Sequence, residues 1–380
     1  MAKLIGNAPN QVPTNADLGS MAFEDKKNYA TTSSPIYQPY RNIIINGDMS
    51  IAQRGTSITG INTNTYSLDR WTTEGDDCTM TISQSTDVPT GQGFATSLKM
   101  DVTTANSSGD NDDLQIISQR IEGQNLQYIK KGTANAESLT LSFWCKMSQT
   151  GTYIVRLYDE DNNRHIAKSY TISSANTWEK KTITFAGDTT GVFGNDNGRS
   201  ARLQWYLDAR SDWTSGTLAT SWESASGTNG NRASGITTGW LDSTSSDFYL
   251  TGVQLEAGTT ASDFEFLPYD VNLQRCYRYF YRNPDASSGA GFIYTGHPMF
   301  LIQLPATMRA NPSCTDSGGS AITSTNAFGQ VTYTNPTSTS FTTKPNVVRL
   351  LYAGGTWNSS YTYGFGCLGN PTGLLISAEL

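Results

Sequence analysis

A mostly β protein is what this sequence predicts, and three observations predict it. Short runs of alternating apolar and polar residues recur from Thr79 to Gly252, with turn residues between them. Glycine is abundant, at 35 residues, while charged residues make up 16% of the chain, below the roughly 25% usual for soluble domains. No helical period interrupts the series; the first follows it, at Leu273, Cys276, Tyr277 and Phe280. With 8 Trp, 19 Tyr and 14 Phe the chain has enough to bury, so the polarity is that of a turn-rich fold and not of disorder.

Taken in order, residues 1–40 carry Pro9, Pro13, Pro35 and Pro39 and no periodic apolar segment, which predicts an extended arm without its own core. Asn42 to Ile45 read as a short buried strand closed by the Asn46-Gly47 turn. Leu139, Leu141, Phe143, Cys145 and Met147 alternate with Thr140, Ser142, Trp144 and Lys146, a half-buried strand with one polar face. Tyr153, Val155 and Leu157 continue that pattern up to an acidic turn over residues 159–163, and Ile183 with Phe185 add another strand. Leu203, Trp205 and Leu207 share a face opposite Arg202, Gln204 and Tyr206. An antiparallel sandwich follows.

Residues 208–246 differ: Trp213, Trp222 and Trp240 stand among Gly, Ser, Thr and Asn, in a segment too long for a plain connection. Beyond it Tyr249, Thr251, Val253 and Leu255 fall on one face of a buried strand, and Phe248, Leu250 and Gly252 on the other. Gly258-Thr259-Thr260 breaks that strand, and Pro268 precedes a helix placed to be capped by Asp270 and stopped before Pro284. Further strands are expected at Phe300, Ile302 and Leu304, at Val331 and Tyr333, and at Val348, Leu350 and Tyr352, with turns at Gly354-Gly355 and Asn370-Pro371. The expected organisation is an arm over 1–40, a β-sandwich over 41–268, a helical joint over 269–284 and a small β domain over 285–380.

A net charge of -7 and a pI near 4.9 argue against nucleic acid as partner. No apolar run approaches 18 residues, so no membrane insertion is expected, and MAKLIGNAPNQVPTN lacks the apolar core of a secretory signal. The cysteines Cys78, Cys145, Cys276, Cys314 and Cys367 form no CxxC pair and read as reduced, mostly buried thiols of a protein made in a cytoplasm. His165, in a polar turn, and His297, before Pro298, have no Cys or His at zinc spacing, and solvent exposure is expected for both. Gly47-Asp48-Met49-Ser50 approximates an esterase nucleophile block, but Met49 separates acid from hydroxyl. The acidic clusters Asp76-Asp77, Asp110-Asn111-Asp112-Asp113 and Asp159-Glu160-Asp161 read as solvated loop acids. A glycosidase needs two carboxylates facing one cleft, which neighbours in a turn do not supply, so no catalytic residue is assigned. Sugars present C–H faces that pack on indoles. Trp71, Trp144, Trp178 and Trp205 sit in strand patterns and read as core or sheet-surface residues, leaving Trp213, Trp222 and Trp240 as candidate glycan ligands.

Several segments carry a family resemblance. RNIIINGDMSIAQRG with Asp69-Arg70-Trp71, LTLSFWCK, TWEKKTITFAGDTTG, and GVQLEAG followed by ASDFEFLPYDVNLQRCYRYF resemble, in that order, the carbohydrate-binding-module-like jelly roll of bacteriophage tail fibre proteins. QVPTNADLGSMAFED resembles a segment near the virion-proximal parts of such fibres, and LPATMRANPSCT one in their terminal β domains. The resemblance implies a homotrimeric virion protein, made in the host cytoplasm, whose arm grips a tail adaptor, nozzle or baseplate protein and whose β domains bind a host surface polysaccharide without hydrolysing it. It places a tryptophan at Trp222, which favours a structural role there. It also raises a structural calcium ion, with Asp48 and Glu256 the first candidate ligands. A tailspike-like glycan hydrolase and a purely structural collar or baseplate protein are the alternatives.

Overall fold

The computed structural model describes residues 40–75, 78–283, 291–294, 297–315, 322–326, 329–333, 338–353, 365–366 and 375–380. The expected arm (Tyr40 apart), Asp76-Asp77, Pro284, Cys367 and the turns at Gly354-Gly355 and Asn370-Pro371 lie outside the described residues. The protein is mostly β, and every named strand pairing is antiparallel.

Twelve strands build the sandwich. They are β1 (Ser57–Ile61), β2 (Thr72–Glu74), β3 (Thr79–Ser85), β4 (Ser97–Thr104), β5 (Leu114–Glu122) and β6 (Leu139–Met147). Then come β7 (Gly151–Asp159), β8 (Arg164–Ile172), β9 (Glu179–Phe185), β10 (Arg199–Ala209), β11 (Glu223–Ser224) and β12 (Asp247–Ala257). Sheet I has the order β1-β3-β4-β12-β6-β9 and sheet II the order β11-β8-β7-β10-β5-β2. The inner faces close on a core in which Trp205 meets both Trp71 and Phe143 at 5.6 Å between ring centroids. Such tilted and edge-on contacts suit the ring quadrupoles.

Three local expectations are corrected. Strict alternation along β12 puts Phe248 and Leu250 on the face opposite Val253 and Leu255, yet all four belong to the one core. The register against β6 shifts between Thr251 and Gln254, and Gly252 has φ +61, so a bulge turns the second half of the strand over. The polar residues Thr140, Ser142 and Lys146 of β6 are buried, because β6 lies between β12 and β9 and the chain after β12 folds over it: Thr140 Oγ1 donates to Gly258 O at 2.8 Å. The helix runs Tyr269–Tyr277 with Pro268 at its N-cap and no side-chain cap, so Asp270 sits in the first turn, where its charge suits the dipole, and Phe280 belongs to the next strand.

The segment over 208–246 contains α1 (Ser211–Thr214), a 3₁₀ turn (Asn229–Asn231) and β11, which lengthens the edge of sheet II through β8. Buried Asp208 pins its far end, accepting the amides of Gly239 and Leu241 at 2.9 Å each.

The helix, α2 (Tyr269–Tyr277), leads into β13 (Phe280–Arg282). After it come β14 (Gly291–Tyr294), β15 (His297–Gln303), β16 (Ser313–Thr315), β17 (Ile322–Asn326), β18 (Gly329–Tyr333), β19 (Ser338–Lys344), β20 (Val347–Ala353), β21 (Phe365–Gly366) and β22 (Leu375–Ser377). Five of them form the sheet β19-β20-β15-β14-β21, in which Ile302 of β15 and Val348 of β20 are buried. β22 lies between β13 and β16. From β22 the chain returns to the sandwich, where Glu379 pairs with Arg54 and with the buried Arg70, and Tyr66 Oη donates to Leu380 O at 2.7 Å. Arg70 has φ +74 and lies 3.5 Å over the Tyr279 ring.

The segment over residues 42–51, buried as expected but a series of bends and a turn and not a strand, holds this region together. Asn46 donates through Nδ2 to Ile51 O and Asp69 O and accepts from Trp71 through its own carbonyl. Gly47 is required because a Cβ there would stand 2.1 Å from Val253 O. Asn46 and the Asp69-Arg70-Trp71 run are therefore a structural latch.

Candidate functional site

The outer face of sheet II forms the floor of a cleft of about 570 Å³. Period-two alternation puts Arg202, Gln204 and Tyr206 of β10 on this floor, opposite the core residues Leu203, Trp205 and Leu207. β7 adds Arg156 and Tyr158, and β2 adds Glu74. Trp213 and Arg232 from the 208–246 segment make one wall, and Asn64, Gly75 and Asp112 stand around the rest.

A chain of hydrogen bonds runs across the floor. Glu74 accepts from Ser118 Oγ at 2.7 Å, Arg202 Nη1 at 2.8 Å and Gln204 Nε2 at 3.1 Å. Gln204 Oε1 accepts from Arg156 Nη1, and Arg156 Nε donates to His165 Nδ1, both at 2.9 Å. His165 Nε2 then reaches Glu223 Oε1 at 3.2 Å, and Asn231 Nδ2 donates to the same oxygen at 2.8 Å. Because Nδ1 accepts, the proton of the neutral ring sits on Nε2.

Electrostatics follows from this packing. Burial first, and then the Arg156 charge, pull the His165 pKa down to about 4, against the opposing pull of Glu223. The expectation of an exposed His165 is therefore corrected: it is fully buried, because the acidic turn ends at Asn163 and β8 has already begun. Burial also lowers the pKa of Arg156, with Tyr206 pulling the other way. For Arg202 burial would do the same, but Glu74 and Glu160 outweigh it and hold the group above its ordinary value.

The three candidate tryptophans separate. Trp213 is half-buried on the cleft wall, its Nε1–H donating to Asp112 O at 2.6 Å and Arg232 lying 4.9 Å over its ring. Trp222 lies outside the cleft, pinned by Nε1–H to Ala186 O at 2.7 Å and packed over Lys131. Trp240 is fully buried and donates to Asp247 O, so it has no face to offer a ligand. Sequence reasoning missed Arg156, Tyr158, Tyr206 and Arg232; the only available signal was the polar face of β10.

The acidic clusters are mostly structural. Asp159 is buried on Lys131, Glu160 pairs with Arg199 and Arg202, Asp113 accepts from Asn106, and Asp161 accepts from Gly194 N. Asp48 accepts from Ser50 and Asn272, while Glu256 accepts from Gln254 and Ser262. Among the described residues no group of three or more His, Cys, Asp or Glu is arranged to hold a metal ion. Cys78, Cys145 and Cys276 are buried thiols without a disulfide.

No family model matches the chain, and no curated protein does. Solved structures with a similar course include the enzymatically active domain of tailspike protein 4 of bacteriophage CBA120, at 17% identity and TM-score 0.31, over 58% of this chain and 22% of that one. A family 11 carbohydrate-binding module from Clostridium thermocellum, in complex with a β-1,3-1,4-mixed-linked tetrasaccharide, aligns at 10% identity and TM-score 0.28, over 54% of this chain and 98% of that one. The C-terminal family 22 carbohydrate-binding module of Clostridium thermocellum Xyn10B aligns at 10% identity and TM-score 0.28, over 53% of this chain and 98% of that one.

Proposed function

We propose that this chain is a glycan-binding protein of a bacteriophage tail fibre and that the cleft on sheet II is its sugar site. The observation that carries the glycan reading is the cleft itself: the half-buried Trp213 and Tyr158 stand around one concavity with Asn64 and charged groups between them, over a floor in which Gln204 and Tyr206 are buried. Aromatic faces for C–H surfaces, with donors and acceptors for hydroxyls, are what a pyranose needs. The floor is a hydrogen-bonded sheet, so the groups are held before a ligand arrives. The tail-fibre context is supported by the sequence resemblance, in which the arm over 1–40 attaches to a tail protein and the chain is a homotrimer.

We further propose binding without turnover. Glu74 is engaged by Ser118, Arg202 and Gln204, which leaves its carboxylate committed to the floor and unsuited to act as a free acid or base. The test is to incubate the full chain with host envelope polysaccharide, measuring retention on the polysaccharide and release of reducing ends. Retention without release is expected. Discrete oligosaccharide products would replace the adhesin with a hydrolase, and absence of retention would leave a structural virion component.

A further inference from the structure

The cleft holds positive charge that the described residues do not neutralise. Arg202 is answered by Glu74 and Glu160. Arg156 is 2% exposed, and what surrounds its guanidinium is uncharged: the Gln204 amide, the His165 imidazole, the Tyr206 hydroxyl and the Tyr158 ring at 4.3 Å. The carboxylate reached through the imidazole is Glu223, a whole ring away. Nη2 of Arg156 and Nε of Arg232 are buried with no hydrogen-bond partner among the described residues. Arg232 also opposes the charge on Arg156, so the two cations act on each other. Asp112, exposed at the rim, is paired with neither. A buried cation without a counter-charge is unfavourable, and an anion delivered by a ligand relieves it.

We infer that the occupant of the cleft is an acidic glycan, whose anionic substituent settles in the shared field of Arg156 and Arg232 while a sugar face stacks on Trp213. This rests on the glycan-binding reading and names its substrate class. Guanidinium groups suit carboxylate and sulfate alike, so the test separates the two sources.

The full chain is titrated with polysialic acid, polygalacturonic acid and chondroitin sulfate, each beside its carboxyl-reduced or desulfated counterpart, and with neutral dextran and β-1,4-galactan. At least one acidic glycan is expected to bind about tenfold or more tightly than its neutralised counterpart, with the difference shrinking as salt rises. Loss on carboxyl reduction identifies a uronate- or sialate-type ligand, and loss on desulfation a sulfated one. Arg232→Gln, at a half-buried position that spares the floor, should collapse the ratio, while Lys146→Gln on sheet I leaves it unchanged. Equal binding of charged and neutralised forms, or a ratio that survives Arg232→Gln, overturns the inference and leaves the glycan site standing. Absence of binding across the panel overturns both.

Discussion

The two outer faces of the sandwich are built from similar side chains and behave differently. On sheet I, Lys99, Tyr249 and Lys146 lie in register across β4, β12 and β6, with Lys146 4.0 Å from the Tyr249 ring centroid. Each lysine has its acid: Lys99 pairs with Asp101 at 3.2 Å, Lys146 pairs with Asp87, and Trp178 Nε1–H donates to the same Asp87 at 2.9 Å. On sheet II the aromatics and cations recur, but among the described residues Arg156 and Arg232 have no carboxylate partner. A surface whose charges are answered internally gains little from a ligand. A concave one with charges left over gains both a stacking face and a counter-charge.

The largest expected effect tests the fate of two tryptophans from one segment. Trp240→Ala should cost roughly 3–5 kcal/mol of folding free energy by denaturant unfolding; a loss below about 1 kcal/mol would return Trp240 to the surface. Next comes acidification. Neutral His165 has a folded pKa of about 4 against an ordinary 6.5, so the unfolded chain takes up a proton that the folded chain refuses. The stability this contributes is complete above pH 6.5 and is lost as pH falls towards 4, an effect on the order of 3 kcal/mol. Urea midpoints between those pH values should fall for the native chain and less steeply for His165→Gln; parallel slopes would refute it. Trp213→Ala should lower glycan affinity by roughly 1–3 kcal/mol with little change in the unfolding midpoint. A midpoint that drops while affinity holds would make Trp213 a mere anchor of its loop. The smallest effect belongs to Lys146→Ala, which removes a largely buried lysine whose acid, Asp87, stays half-exposed to solvent, and should cost on the order of 1 kcal/mol of stability, with glycan binding untouched. A larger effect on binding would erase the contrast between the faces.

Much of the sandwich was legible in the sequence because strands report their two faces directly. The alternation of Leu203, Trp205 and Leu207 with Arg202, Gln204 and Tyr206 separated the core side of β10 from the other, which the structure makes the cleft floor. The bulge at Gly252 was not legible, since nothing local distinguishes a glycine that flips a strand from one that is merely small. The cleft was only half legible. Trp213 drew attention by standing in a polar segment, but Trp240 stood in the same company and is core. Arg156 looked like any polar strand residue. Whether an arginine is answered depends on what neighbouring strands place beside it, and those neighbours are His165 from β8 and Gln204 from β10.

The pairing of β13 with β22 has a consequence for how this chain can change over time. Tyr281 sits opposite Ile376, so the strand that leaves the sandwich and the strand that returns to it are immediate neighbours. The return is then fixed by Glu379 on Arg54 and Arg70, contacts that span 325 and 309 residues of sequence. Residues 283–374 therefore form an excursion whose two feet are bolted side by side. That stretch is also tied down midway, by β16 on β22 and by Arg309 N on Arg278 O, so a connection between its strands can lengthen at only about 0.6 kcal/mol of closure entropy per doubling without disturbing the feet, where an edit inside β5 or β10 would break the floor. The latch makes the sandwich a chassis, and changes of length fall on the connections of the stretch it carries and not on its strands.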